Sequence, residues 1–245
     1  MHSKWILIVL ILLFSCSKDE KSTNLSNTIL SDFLQSHSDK VLDEVIACAG
    51  SSNYEDAVLI YFYPEEGSYD FKYYETESVN VNPDDFSNYK LKSLPTEGVF
   101  GNKLSAFKRN DLQDAWGIVT YQTEGKIHKS NPIRIKHTQQ ATVYNFDVTI
   151  DTSVRLSPEF RWNESELQND AIYFQVLLEQ NNIFISGTYT FDRFFRYYDT
   201  SNVVLTINST IPPKLEIANN YQFIVLGVSL DNWVNSYSYK NFTAE

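Results

Sequence analysis

The chain has little cysteine, little positive charge and no long apolar run. Cys16 and Cys48 are its only cysteines in 245 residues. One disulfide at most is available, and none if either thiol is otherwise engaged. A disulfide-stapled scaffold is therefore excluded, and stability must come from a packed core. Lys and Arg total 20 against 31 Asp and Glu, a formal net charge of −11. So acidic an exterior argues against nucleic-acid binding, which needs Lys and Arg to neutralise phosphates. The apolar stretch 5–14 covers only ten residues, about half of the roughly 20 that a bilayer-spanning helix requires. There is no Gly-x-Ser-x-Gly, His-Glu-x-x-His, phosphate-cradling glycine loop or Cys-x-x-Cys pair. No sequence-legible hydrolase, zinc protease, nucleotide or redox site follows, and no cofactor or metal is expected.

What is present begins with Lys4, which precedes the apolar stretch, and with Leu13, Phe14 and Ser15, which lead into Cys16. A charged flank, a short apolar segment and a small residue form the layout of a secretion signal. Leu13-Phe14-Ser15-Cys16 resembles the lipoprotein signal, in which the cysteine is acylated, with palmitate among the acyl groups, and becomes the new first residue. Each buried CH₂ of such a chain contributes about 0.8 kcal/mol, and two or more chains give stable attachment. Ser17-Lys18-Asp19-Glu20 resembles the surface-export signal of Bacteroidota lipoproteins. The resemblance implies a signal peptide at 1–15, lipidation at Cys16, and an outer-membrane anchor facing the cell exterior. The competing reading is an ordinary cleaved signal with an incidental Cys16. Removing 15 of the 245 residues leaves 230, and loss of Lys4 moves the charge from −11 to about −12.

Residues 16–27 read as the lipidated Cys followed by a flexible polar tether, reaching about 15–20 Å at random-coil scaling. Ile29, Leu30, Phe33 and Leu34 fall at helical spacing after cap candidates Ser26 and Thr28, which predicts one short helix over 28–35. From residue 40 onward the pattern is β: short Val, Ile, Tyr, Phe and Thr runs broken by Gly, Pro, Asn and Asp. Strands are expected at 41–49, 57–63, 69–77, 103–108, 116–122 and 133–136. A second set is expected at 143–150, 159–162, 172–179, 183–189, 203–207, 221–228 and 233–239. Turn clusters at 64–67, 82–85, 95–98 and 211–213 separate them. Two sets of six or seven strands predict an all-β chain of two tandem β-sandwiches, 28–137 and 141–245, joined by the polar segment His137 to Gln140.

The ends of the two halves are alike. Each has an aromatic-led strand, a polar turn and a Ser-containing last strand, at 116–132 and at 221–238. This is similar to the closing hairpin of fibronectin type III domains. The second half resembles that family further: Trp162 looks like its core Trp on an early strand, and Tyr221 like the Tyr at its loop-to-strand corner. The resemblance implies a fold and no activity.

Candidate sites are few. His37, His128 and His137 stand apart from any plausible nucleophile, and the acidic pairs Glu65-Glu66 and Asp84-Asp85 sit in turns. Cys48 lies in an apolar stretch with no basic neighbour and reads as a buried small hydrophobe. Segment 189–199 packs six aromatics and two Arg into eleven residues. In one reading Phe191, Phe194 and Phe195 plug the sandwich end or the domain interface while Arg193 and Arg196 pair with local acids. In the other, Arg193, Arg196, Tyr197 and Tyr198 form a ligand platform, with aromatic faces stacking on sugars and Arg supplying cation–π or carboxylate contacts. Trp233, in the closing turn, is a candidate exposed contact. Tyr221, Phe223 and Val225 alternate with the equally apolar Ile224, Leu226 and Val228. A sandwich strand normally wets one face, so this strand is expected to be covered by the other domain or by a partner. The expected function is a non-catalytic binding or scaffolding module for a glycan, peptide or envelope protein. The alternatives are a hydrolase whose carboxylates converge only in the fold and a structural spacer without a ligand.

Overall fold

The computed structural model describes residues 28–163 and 169–245. The leader, Cys16 and the tether lie outside the described residues. Helix α1 spans Leu30–Ser36 and buries Leu30 and Phe33. The cap position falls on Ile29, one residue past the expected Thr28, and Ile29 makes no side-chain bond there. The backbone serves instead, with Leu30 N–H donating to Tyr89 O (3.0 Å) and Leu91 N–H to Thr28 O (2.8 Å).

The first half contains β1 (Val41–Val45), β2 (Ala47–Ser51), β3 (Val58–Phe62), β4 (Tyr69–Glu75) and β5 (Lys90–Lys92). It continues with β6 (Thr96–Val99), β7 (Leu104–Arg109), β8 (Ala115–Thr123), β9 (Lys126–Ser130) and β10 (Ile133–Ile135). One sheet runs β1-β9-β8-β4-β5, with β10 also on β8, and the other runs β2-β3-β7-β6. The single strand expected at 41–49 is two. The chain leaves β1, parallel to β9, crosses at Ile46, and enters β2, antiparallel to β3. One edge segment thereby serves both sheets. The turn expected at 95–98 holds β6, which pairs with β7, so a Pro-and-Gly cluster marked an edge strand rather than a loop. Val58, Ile60, Phe62, Tyr73, Val119 and Tyr121 fill the space between the sheets. The outer face of the β8 sheet is also apolar, because α1 and the 86–91 segment cover it with Leu30, Phe33 and Tyr89 against Tyr74 and Ile118.

The second half contains β11 (Val143–Tyr144), β12 (Val148–Asp151), β13 (Glu159–Trp162), β14 (Ile172–Glu179) and β15 (Ile183–Thr190). Its last strands are β16 (Phe194–Arg196), β17 (Val203–Thr206), β18 (Asn220–Val228) and β19 (Val234–Thr243). A sheet of order β11-β19-β18-β14-β15-β17 faces a three-stranded sheet β12-β13-β16. Between them Phe160 stacks on Phe223 (ring centroids 3.9 Å apart) and Trp162 meets Tyr173 edge-on (5.4 Å). Glu216 N–H donates to the Tyr221 hydroxyl at 2.9 Å, the corner contact that the fibronectin and immunoglobulin classes of sandwich share. The chain is all-β, built as two sandwiches of that class.

The halves are locked together. Ile224, Leu226 and Val228 turn away from their own core and pack, with Phe174 and Val176, on Tyr61, Leu104 and Ala106 of the first half. The doubly apolar strand is explained: it has a sandwich core on one face and the neighbouring sandwich on the other. The hairpin tip between β18 and β19 goes further. Trp233 enters the first sandwich's core beside Ala49, Val58 and Ile135 and is fully buried. Asn232 O accepts from Ala49 N–H (3.0 Å), Asp231 O from Arg134 N–H (2.8 Å), and the Asn232 side-chain amide donates to Pro132 O (3.0 Å). The segment His137 to Gln140 is stitched into this joint. Gln140 O accepts from Trp233 Nε1 (2.9 Å), and the Gln140 side chain donates to Asn235 Oδ1 (2.7 Å).

Candidate functional site: a tyrosine groove between the sandwiches

Two residues proposed as contacts from the sequence are core instead. Trp233 is not an exposed loop-tip aromatic, because its hairpin docks into the first sandwich. Tyr197 is 1% exposed, packs in the second core and donates from its hydroxyl to Pro213 O. Of the other platform residues, Tyr198 is half-buried and its hydroxyl accepts from Asn208 Nδ2 at 3.1 Å. Arg196 bonds Glu159 Oε2 at 2.6 Å and Ser157 O at 3.2 Å, and Arg193 is exposed. Segment 189–199 is therefore mainly a plug, with Phe195 at its centre, although Phe191 stands out at 66% exposure. Cys48 packs against the interdomain core, its remaining surface turned to a small apolar recess. Burial pushes its thiol up to about 12. His128 is fully buried and stacked on Tyr121 (4.5 Å). No group of three or more metal-ligating side chains occurs among the described residues.

What the fold assembles is a groove where the two sandwiches meet, of about 300 Å³. Side chains alternate along β19, and Tyr239 and Tyr237 lie opposite Ile224 and Leu226, so they share the face turned to the first sandwich. β11 sets Tyr144 opposite Tyr237 with ring centroids 5.2 Å apart. The Tyr144 hydroxyl donates to Ser51 O, which pins the wall to the first sandwich. Tyr61 and Phe100 close the floor, and Tyr54, 89% exposed, stands at the mouth. Burial holds the phenols of Tyr61 and Tyr237 well above the ordinary range, and it raises Tyr144 to about 12. All three are neutral hydrogen-bonding groups at physiological pH. The opposite wall carries Asn182. Gly101 (φ +66°) lets it approach: a Cβ there would lie 2.5 Å from Asn182 O and 2.7 Å from Phe184 N.

The lining offers several phenols, amides and hydroxyls and a single carboxylate, Glu97. This is equipment for binding through ring faces and hydrogen bonds. Paired-acid hydrolysis needs two carboxylates. Sequence reasoning missed the groove because its residues come from 52–61, 97–100, 144, 182 and 237–239. The alternation of Tyr237 with Tyr239 in the last strand was the one local sign.

No family model matches the chain, and no curated protein matches it. Among solved structures it is similar to the chicken CNTN1 FN1-FN3 domains. The identity is 8% and the TM-score 0.27, covering 84% of this chain and 68% of that one. The assignment to the fibronectin/immunoglobulin-like class of sandwich rests on the sheet order of the two halves and, in the second half, on the tyrosine corner.

Proposed function

We propose that this protein is a non-catalytic binding module, held on the outer membrane by an acylated Cys16 and seating its ligand in the tyrosine groove. The groove carries the reading. Exposed Tyr54 and Tyr239, at 89% and 44%, flank the buried Tyr61 and the half-buried Tyr144 and Tyr237, and the walls come from two sandwiches fixed to each other by the Trp233 hairpin. A rigid, preformed aromatic seat loses little ordering entropy on binding. The sequence Leu13-Phe14-Ser15-Cys16-Ser17-Lys18-Asp19-Glu20 supports the anchor and its outward orientation.

The test is a binding screen of the full-length protein against glycan and peptide arrays, repeated with Tyr54→Ala, Tyr239→Ala and Tyr198→Ala. The groove variants should lose binding by tenfold or more while Tyr198→Ala keeps it. Loss in Tyr198→Ala alone would move the site to segment 189–199. Protease treatment of intact cells should remove the folded part if it faces outward.

A further inference from the structure

The outer face of β18 and β19 changes character along its length. At one end Ile224, Leu226 and Val234 lie under the first sandwich. Beyond Tyr239 the same face turns to amides. Gln222 donates from Nε2 to Asn241 Oδ1 (3.0 Å), and Thr243 donates from its hydroxyl to Asn220 Oδ1 (2.7 Å). The side chains on this stretch are exposed or half-buried, so the pattern serves no core. Across from them the β14–β15 connection brings Gln180, Asn181 and Asn182. Both asparagines take left-handed φ (61° and 62°), a conformation Asn tolerates in tight hairpins. These groups line a second, open recess of about 600 Å³. Asn182 lines both recesses, and Tyr239 of the groove is followed on the same face of β19 by Asn241 of the second recess.

We infer that the two recesses form one extended cleft for a neutral oligosaccharide; this rests on the groove being the ligand seat. A carboxamide places a donor beside an acceptor, which suits neighbouring sugar hydroxyls that both give and take hydrogen bonds. The tyrosine rings supply flat apolar faces for the C–H side of a pyranose. Charge selects further: the two linings contain Glu97 and Glu179 and no Lys, Arg or His. A sulfated, phosphorylated or uronic-acid ligand would meet only negative charge, on a protein of formal charge −11. A peptide strand would seek unpaired backbone, yet β18 is hydrogen-bonded on both sides, by β14 and β19. On β18 only the side chains are free to meet a ligand.

Titration calorimetry of the full-length protein with cello-, manno- and xylo-oligosaccharides of increasing length tests this, with heparin and oligogalacturonate as anionic probes and random-sequence peptides alongside. At least one neutral series should bind, tightening with length as the second recess fills, and the anionic probes should bind at least tenfold more weakly. Gln222→Ala/Asn241→Ala should weaken binding of the longer members about tenfold and of the shortest little. The far-ultraviolet circular dichroism should be unchanged, since both positions are at the surface. Equal binding of anionic probes, or indifference of the long members to the double variant, would overturn the cleft. Peptide binding that is lost in Tyr54→Ala and untouched by the double variant would overturn the oligosaccharide assignment while leaving the groove as the binding seat.

Discussion

Replacing Trp233 by Ala tests whether the two sandwiches fold as one unit. The indole comes from the last hairpin of the second half and is wholly buried among core residues of the first. Truncating a buried Trp to Ala costs about 3–5 kcal/mol in transfer and cavity terms. The Gln140 carbonyl also loses the Nε1 donor at 2.9 Å. In a protein of this size each kcal/mol lowers Tm by about 2–4 °C, so the variant should melt about 6–20 °C below the parent. Trp233→Phe keeps most of the apolar volume and should recover more than half of the loss. Urea unfolding followed by circular dichroism and by tryptophan fluorescence checks both points. The parent should show coincident transitions, because breaking either core exposes the other's wall at Tyr61, Leu104 and Ile224. Two separated transitions in the parent, or a Trp233→Ala loss below about 1 kcal/mol, would refute the reasoning.

Other consequences are as specific. Arg109 joins the two sheets of the first sandwich through Glu75, with Nε to Oε2 at 2.6 Å and a second bond at 3.1 Å, both side chains nearly inaccessible. Glu75→Gln removes the buried carboxylate that neutralises Arg109, leaving the guanidinium its carbonyl partners at Asp111 and Gln113, and should cost about 3 kcal/mol by denaturant titration. Gly101→Ala forces a Cβ onto Asn182 O at a left-handed φ, and should lower stability by about 1–3 kcal/mol and weaken ligand binding at the groove. The buried phenols give a pH window. Their folded pKa values lie above the unfolded value of about 10, with Tyr121 and Tyr144 at about 12. The neutral form is thus favoured in the fold. Stability from this source is complete below about pH 10 and falls as pH rises toward the folded values. An alkaline melt monitored by tyrosinate absorbance should show unfolding and ionisation of these phenols together. Cys16→Ser should shift the protein from membrane to soluble fractions; undiminished membrane retention would contradict the lipid anchor.

The residues themselves determined the class of fold. Period-2 runs of Val, Ile, Tyr and Phe separated by turn clusters permit little besides stacked sheets. Of the Trp162 and Tyr221 landmarks, Tyr221 was legible because its hydroxyl bonds Glu216 only five residues upstream, whereas Trp162 acts across the sheets on Tyr173 and Phe223. Helix α1 was legible from the spacing of Ile29, Leu30, Phe33 and Leu34, and the apolar alternation of 223–228 showed that two faces needed covering. Tertiary structure alone decided what covered them. Trp233 looks like a turn residue locally, and only the meeting of two sandwiches provides the pocket that buries it. The break at Ile46 is likewise invisible, since both sheets want the same apolar edge strand and only their separation divides it. The groove was hidden for the same reason. Its tyrosines and amides come from strands and loops far apart in sequence, and periodicity records which side of a strand a residue faces. What lies opposite that side depends on how the second sandwich is seated against the first, a choice made by shape and buried area summed over the whole interface.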